Sequence, residues 1–242
     1  MCKKTVTHVQ NDGVYMCDTQ KPNSPPEFLP ADLIVVNADL PYATNSLLTD
    51  NATISDHSIF DWDDKFTYSS GVISFHWSVG LSLDELNTHN VFMIAASRSN
   101  AESSWNILRT NEGDVDQTTL FNFYVHRASK TDPTAAPSGC DSIMVLVPCK
   151  TLLRDPDCAK LPRDEAIRLY KEQFSEEVVS KAREAVLKWL SALDSLKNLE
   201  SHILDEVVDT PASWADQFHL AAGTPFALVS KQARNRARTH EG

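Results

Sequence analysis

Glycine is scarce in this chain, at seven among 242 residues, and no Gly-x-Gly-x-x-Gly or Walker-type loop occurs. Loops that cradle phosphate use glycine so that the backbone can close on the anion, so the sequence offers no pyrophosphate cradle of that kind. No Gly-x-Ser-x-Gly elbow is present either, which removes the usual signature of a serine hydrolase. The five cysteines, Cys2, Cys17, Cys140, Cys149 and Cys158, contain no Cys-x-x-Cys pair. An odd count without that spacing fits neither a disulfide framework nor a structural zinc site, and implies reduced, cytosol-facing thiols. His57, His76, His89, His126, His202 and His219 are scattered without the i, i+4 pairing of a zinc protease, so no metal site is expected. Apolar runs of about 18 residues are absent, and Lys3 and Lys4 precede no apolar core, so neither a transmembrane helix nor a signal peptide is expected. These absences point to an intracellular protein, in the cytoplasm or on the cytoplasmic face of a membrane.

What is present is ordinary globular material: 42% hydrophobic residues and a net charge of -11, which argues against a nucleic-acid partner. The charge is uneven. Lys231, Arg234, Arg236 and Arg238 stand against Glu241 alone, giving residues 231–242 a charge of +3 and the features of a disordered basic tail.

The most organised stretch is Ala31-Asp32-Leu33-Ile34-Val35-Val36-Asn37-Ala38-Asp39-Leu40-Pro41. Its four consecutive apolar residues, fenced by Pro30 and Pro41, predict a strand over 31–41 buried on both faces, as in a parallel sheet. Ligands of open α/β sheets sit where such strands end, which makes Asn37, Ala38 and Asp39 candidates; the bland alternative is that they merely end a core strand. Upstream, Thr5–Val9 and Gly13–Met16 predict a hairpin turned at Asn11-Asp12-Gly13. Tyr42–Leu48 predicts a short helix.

Downstream, Gly71–Val79 alternates strictly. Ile73, Phe75, Trp77 and Val79 form its apolar face, and Val72, Ser74, His76 and Ser78 the other. Further apolar runs at Asn90–Ala96, Asn122–His126, Ser142–Val147 (ended by Pro148) and His202–Val208 predict a mainly antiparallel sheet. One long amphipathic helix is predicted over 175–196, preceded by a shorter one at 164–174. Asp61, Asp63 and Asp64 read as a solvated turn, since no glycine-centred calcium loop follows them.

Several separated stretches, taken together, resemble the carotenoid desaturases of the phytoene desaturase family, flavoproteins of bacteria and fungi. The first is Ala31–Pro41 with Tyr42, similar to that family's Ala-Asp-x-Val-Val-x-Asn-Ala-Asp strand. The second is Asp132-Pro133-Thr134-Ala135-Ala136-Pro137-Ser138-Gly139 and the strand after it. The third is Thr210-Pro211 with Trp214, Phe218, Leu220, Gly223 and Phe226. Tyr68–Trp77 and Asn87–Phe92 look closest to the fungal branch, and the resemblance covers roughly residues 5–228.

The resemblance implies FAD as cofactor and a polyene such as phytoene as substrate. The flavin accepts hydride from an allylic C–H, and the protein supplies binding and orientation. It places Asn37, Ala38, Asp39, Gly223 and Thr224 near the flavin, and Trp214, Phe226, Phe75 and Trp77 near the substrate. Plain core packing is the alternative role for Phe75 and Trp77. No acid or base is assigned.

The implied fold is α+β: a mainly antiparallel substrate-domain sheet with flanking helices, joined to a remnant of an FAD-binding parallel α/β domain. Its divisions are 1–48 for the remnant, 49–209 for the substrate domain, 210–230 for a return toward the cofactor domain and 231–242 for the tail. Two features depart from the family: the missing glycine fingerprint, and the basic, glycine-poor end after Val229. They imply an internal to C-terminal fragment that is inactive alone. A non-catalytic module binding an apolar ligand or a partner is the alternative from another class. A flavin amine oxidase-like fragment is a third, disfavoured because Asp132–Gly139 resembles the carotenoid branch. Peripheral membrane contact is compatible with all three.

Overall fold

The computed structural model describes residues 3–21, 24–48, 66–67, 69–93, 97–99, 122–149, 163–225 and 229–230. Asp61, Asp63, Asp64, Phe226 and the basic tail lie outside the described residues. The chain divides into two units, one formed by Met1–Thr67, Phe218–Ala221 and Leu228–Gly242, the other by Tyr68–Gln217 and Ala222–Ala227.

The first unit opens with β1 (Lys4–Gln10) and β2 (Gly13–Asp18), paired antiparallel from Lys4↔Asp18 to Gln10↔Gly13 around Asn11-Asp12. β3 (Glu27–Pro30) adds to β2 with Tyr15 opposite Phe28, and their rings meet at 5.0 Å. Gly13 is required at the start of β2, because a Cβ there would overlap the Leu29 carbonyl oxygen and the Phe28 ring. α1 (Leu40–Tyr42) runs into a wide helical turn, Ala43–Leu47, and Ala43, Leu47 and Val9 are buried in this unit.

The strand predicted over 31–41 is not formed. Residues 31–39 belong to no strand, and Leu33 and Val35 are 82% and 81% exposed. The apolar run has the composition of an interior strand, but strand propensity is realised only against hydrogen-bonded neighbours, and the described residues supply none. Every strand pairing among the described residues is antiparallel.

β4 (Phe66–Thr67) closes the first stretch of this unit. The second unit then builds a five-stranded sheet from β5 (Gly71–Val79), β6 (His89–Phe92), β7 (Phe123–Arg127), β8 (Asp141–Cys149) and β9 (Ile203–Asp209), in the order β6-β7-β8-β5-β9. β5 lies between β8, which it pairs from Gly71↔Cys149 to Val79↔Asp141, and β9. Pro148 falls inside β8 rather than ending it. The last β8 residue paired to β7 is Leu146, so beyond it a proline removes no ladder bond on that side.

Between β7 and β8 the connection is α2 (Ala128–Thr131) followed by the Asp132–Gly139 motif. Asp132 Oδ1 accepts from the Thr134 N–H at 2.9 Å and its hydroxyl at 2.6 Å. Gly139 takes a φ of +79°, a left-handed conformation that suits glycine, while Cys140 N–H donates to Pro137 O at 3.0 Å. The motif is therefore turn hardware that returns the chain into β8.

α3 (Arg163–Gln173), α4 (Glu176–Leu190) and α5 (Pro211–Phe218) complete this unit. α4 places Glu176 and Glu177 in its first turn and Lys188 in its last, matching the helix dipole. It ends six residues before the predicted 196. Leu193 is extended, and the chain continues as 3-10 turns at Asp194–Leu196 and Leu199–His202. Leu196 and Leu199 are nonetheless fully buried, so the apolar spacing marked the buried positions and not the extent of α-helix.

α5 starts at an N-cap threonine with proline at the first helical position. Ser213 N–H donates to Thr210 Oγ1 at 3.3 Å, and Thr210 N–H to Ser213 Oγ at 2.8 Å. Ile167 of α3 packs with Ala215 of α5 and Phe174 in a small satellite cluster. After this unit β10 (Val229–Ser230) belongs again to the first unit and pairs with β4.

The core is one face of the five-stranded sheet. Ile73, Phe75, Trp77 and Val79 of β5, Phe123 and Val125 of β7, and Ile143, Val145 and Val147 of β8 pack against Ala182, Ala185, Val186, Leu187 and Leu190 of α4. The period of two in the strands and the three-four spacing in the helix are thus satisfied by the same contact.

Candidate functional site: the second face of the sheet and the Asp39 turn

The opposite face of the sheet carries two cross-strand rows. The register aligns His89, His126, Met144, His76 and Val207 in one, and Val91, Tyr124, Leu146, Ser74 and Asp209 in the other. Ser74 is fully buried, Val91 and Val207 are 65% and 55% exposed, and His76, Tyr124, His126, Met144 and Leu146 are half-buried. This is a mixed apolar and aromatic surface edged by polar groups.

Its polar groups do not assemble a catalytic relay. His76 Nε2 lies 3.2 Å from Ser74 Oγ and 3.7 Å from Asp209 Oδ2. Both partners meet the same ring nitrogen, whereas a nucleophile triad needs serine and carboxylate on opposite nitrogens. Asp209 is further held by the Ser213 hydroxyl, which donates to Oδ1 at 3.0 Å. At the other end of the row, the Tyr124 hydroxyl hydrogen-bonds His89 Nδ1, and the His89 and His126 rings meet edge-on at 5.1 Å. Among the described residues no cluster of three or more His, Cys, Asp or Glu side chains could hold a metal.

The predicted site residues distribute as follows. Phe75 and Trp77 are 0% and 1% exposed and lie on the α4 side, within the core, so the packing role is the one the structure gives them. Trp77 Nε1–H donates to Glu206, which also accepts from Arg183 Nε at 2.9 Å; the Arg183 guanidinium lies 6.0 Å from the Trp77 ring. Burial pulls Arg183 down, but its hydrogen bonds and charges from Glu200 and Glu206 prevail and raise it above the usual arginine value. Trp214 is half-buried on α5.

Asn37 and Ala38 are exposed, and Asp39 turns inward, where Oδ2 accepts the Ala221 N–H at 3.1 Å. Burial raises the Asp39 carboxyl above its ordinary value, against the lowering effect of the Ala221 and Tyr42 N–H groups. In the second unit, Gly223 is buried with a φ of +60°, and Thr224 is 4% exposed. The Thr224 hydroxyl donates to Ser70 O at 3.1 Å and lies 2.5 Å from Ser69 Oγ.

Sequence reading missed Tyr124, His126, Met144, Leu146, Val91 and Val207. The parity of their strands held the signal. Once Val125 and Val145 are inward, their neighbours must face the other way, but only the register shows that they form continuous rows.

FAD requires a cradle for its pyrophosphate, and these residues do not fit one. The side-chain polar atoms of Asp39 and Thr224 are committed to the chain's own backbone and hydroxyls. The sequence adds no glycine-rich loop.

Fold and site together define the class of a helix-backed antiparallel sheet with one half-exposed face. Similarity to known proteins narrows this class. The chain is 32% identical over 203 residues to a phytoene desaturase of Fusarium fujikuroi and 34% identical over 204 residues to one of Neurospora crassa. Those alignments cover 83% and 84% of this chain. An all-trans-zeta-carotene desaturase of Myxococcus xanthus is 28% identical over 202 residues. No family model matches the chain. The chain is thus related to the carotenoid desaturases, the family that its sequence resembles, and it spans about one third of the length of the curated relatives it matches.

Proposed function

We propose that this chain forms the substrate-facing part of an FAD-dependent, phytoene desaturase-like oxidoreductase acting on a polyene in carotenoid formation. The observation that carries the reading is the 32–34% identity to fungal phytoene desaturases across more than four fifths of the chain. In this reading the second unit is the substrate domain and its face of Val91, Tyr124, Met144, Leu146 and Val207 lies toward the polyene. The first unit corresponds to part of a cofactor domain. The 242 residues alone do not hold FAD tightly, because the pyrophosphate cradle is missing from them.

The test titrates the purified chain with FAD and, separately, with phytoene in detergent micelles, following flavin absorbance and quenching of tryptophan fluorescence. Saturable phytoene binding without stoichiometric flavin is the expected result. Flavin co-purifying at one per chain would overturn the statement about FAD, and absence of saturable phytoene binding would overturn the substrate-face assignment.

A second reading, a flavin-independent module for an apolar ligand, is favoured by the half-exposed sheet face together with the committed polar groups of Asp39 and Thr224. Restoring desaturation by supplying the remaining two thirds of a relative's chain separates the two, since only a desaturase part would complement it. Location inside the cell, with peripheral contact to a membrane that carries the polyene, belongs to the same proposal. Among the described residues no helix is long and apolar enough to cross a membrane. Leu33, Val35 and Leu40, exposed by 82%, 81% and 52%, are the residues that would meet such a surface. Sedimentation with phosphatidylcholine vesicles, lost on Leu33→Ser/Val35→Ser, is the check.

A further inference from the structure

Asp39 was expected beside a cofactor, yet its carboxylate faces the protein. Oδ2 accepts the N–H of Ala221, 182 positions along the chain and within the same unit. The same two segments meet again where the Tyr42 ring stacks on His219, with centroids 4.3 Å apart and planes 8° from parallel. His219 holds a φ of +56°, a left-handed conformation that a non-glycine residue adopts only when its surroundings enforce it. Phe218–Ala221 is a short piece of chain joined to a unit built mostly from residues 1–67, so contacts like these are what hold it there.

We infer that Asp39 is a positioning residue, a clasp that fixes the 218–221 turn against the 39–42 segment, and that it does not contact a cofactor. The inference goes beyond the desaturase reading and does not depend on it. A carboxylate committed to a backbone N–H inside its own unit orders the turn whether or not a flavin approaches. Asn37 and Ala38, exposed just before it, are left as the groups that any ligand at this edge would meet first.

Hydrogen–deuterium exchange of the full 242-residue chain tests this without ligand, read on peptides covering 218–222. Asp39→Ala removes the acceptor, and exchange of the Ala221 amide is expected to rise roughly tenfold, the scale of one charge-assisted hydrogen bond. Asp39→Asn keeps an acceptor oxygen and is expected to protect the amide as well as wild type does. Should Asp39→Ala not accumulate folded protein, Asp39→Glu retains the charge but displaces the oxygens by one methylene, and must also raise exchange. Unchanged exchange in Asp39→Ala or Asp39→Glu would overturn the clasp, as would failure of Asp39→Asn to protect. The FAD titration is read separately. Loss of flavin affinity in Asp39→Asn with the amide still protected would show that the carboxylate meets the cofactor directly. Absence of saturable phytoene binding, with the amide protection patterns as expected, would count against the desaturase reading alone.

Discussion

Replacing Asp141 with asparagine removes the buried charge that faces a buried guanidinium. Arg127 and Asp141 are 6% and 3% exposed, and Nη2 sits 2.9 Å from Oδ2. Nη1 of the same arginine donates to Leu83 O at 2.8 Å and Leu86 O at 3.1 Å, and Nε has no hydrogen-bond partner among the described residues. Asp141 in turn accepts the Leu83 N–H at 2.5 Å and the Ser129 hydroxyl. The pair thus pins the 80–88 loop to the ends of β7 and β8. Among the described residues the other carboxylate contacting the arginine is Asp84, 3.5 Å away with a side chain 84% exposed, too wet to replace a buried partner.

Breaking a buried pair from one side costs about 3–5 kcal/mol, because the remaining charge stays desolvated. Urea unfolding followed by tryptophan fluorescence should show that loss for Asp141→Asn at pH 7. The double variant Arg127→Met/Asp141→Asn should lose less than the sum of the two single variants. The pH dependence has a definite sign. Burial pushes the Asp141 carboxyl up, but the bonds from Ser129, Leu83 and Arg127 and the arginine charge prevail, holding it below the usual aspartate value. A depressed carboxyl contributes stability above its unfolded pKa, and that contribution is lost as pH falls through the lower folded value. The gap between wild type and Asp141→Asn should therefore close in strong acid. A loss below about 1 kcal/mol at pH 7, the scale of a surface pair, or strict additivity in the double variant, would refute this account.

Three further outcomes follow from other parts of the chain. Gly13→Ala should destabilise the first unit by about 1–3 kcal/mol, seen as faster exchange in β2 and β3, since the new Cβ overlaps the Leu29 carbonyl oxygen. Cys149, buried and pushed up in pKa by desolvation despite a backbone hydrogen bond from Ile73, should resist N-ethylmaleimide in the native state. The half-buried Cys17 and Cys140 should react before Cys149, and mass spectrometry of labelled peptides decides it. At Asp39, where burial raises the carboxyl, ionisation above the folded pKa costs stability; Asp39→Asn should gain on wild type at pH 7 and lose that advantage as pH falls toward 4.

The core was legible because it rests on local chemistry. Strict alternation in Gly71–Val79 and the three-four spacing of Val178 to Leu190 each identify one apolar side, and one contact buries both. Asn11-Asp12-Gly13 specified its hairpin for the same reason: turn geometry is decided by two or three residues.

Only tertiary structure decided the rest. The Leu33–Val36 run carries every local mark of an interior strand, yet it stands outside any sheet, since a strand exists only through hydrogen bonds to a neighbour that its own sequence does not contain. Of the two roles open to Phe75 and Trp77, the structure shows the core packing, and Tyr124, Met144 and Leu146 lie on the open face, because alternation says which residues share a side but not which side the helix will cover. Asp39, expected at the end of a strand, follows a segment that belongs to no strand. Its partner is an amide 182 residues away, a separation across which no periodicity or spacing carries information.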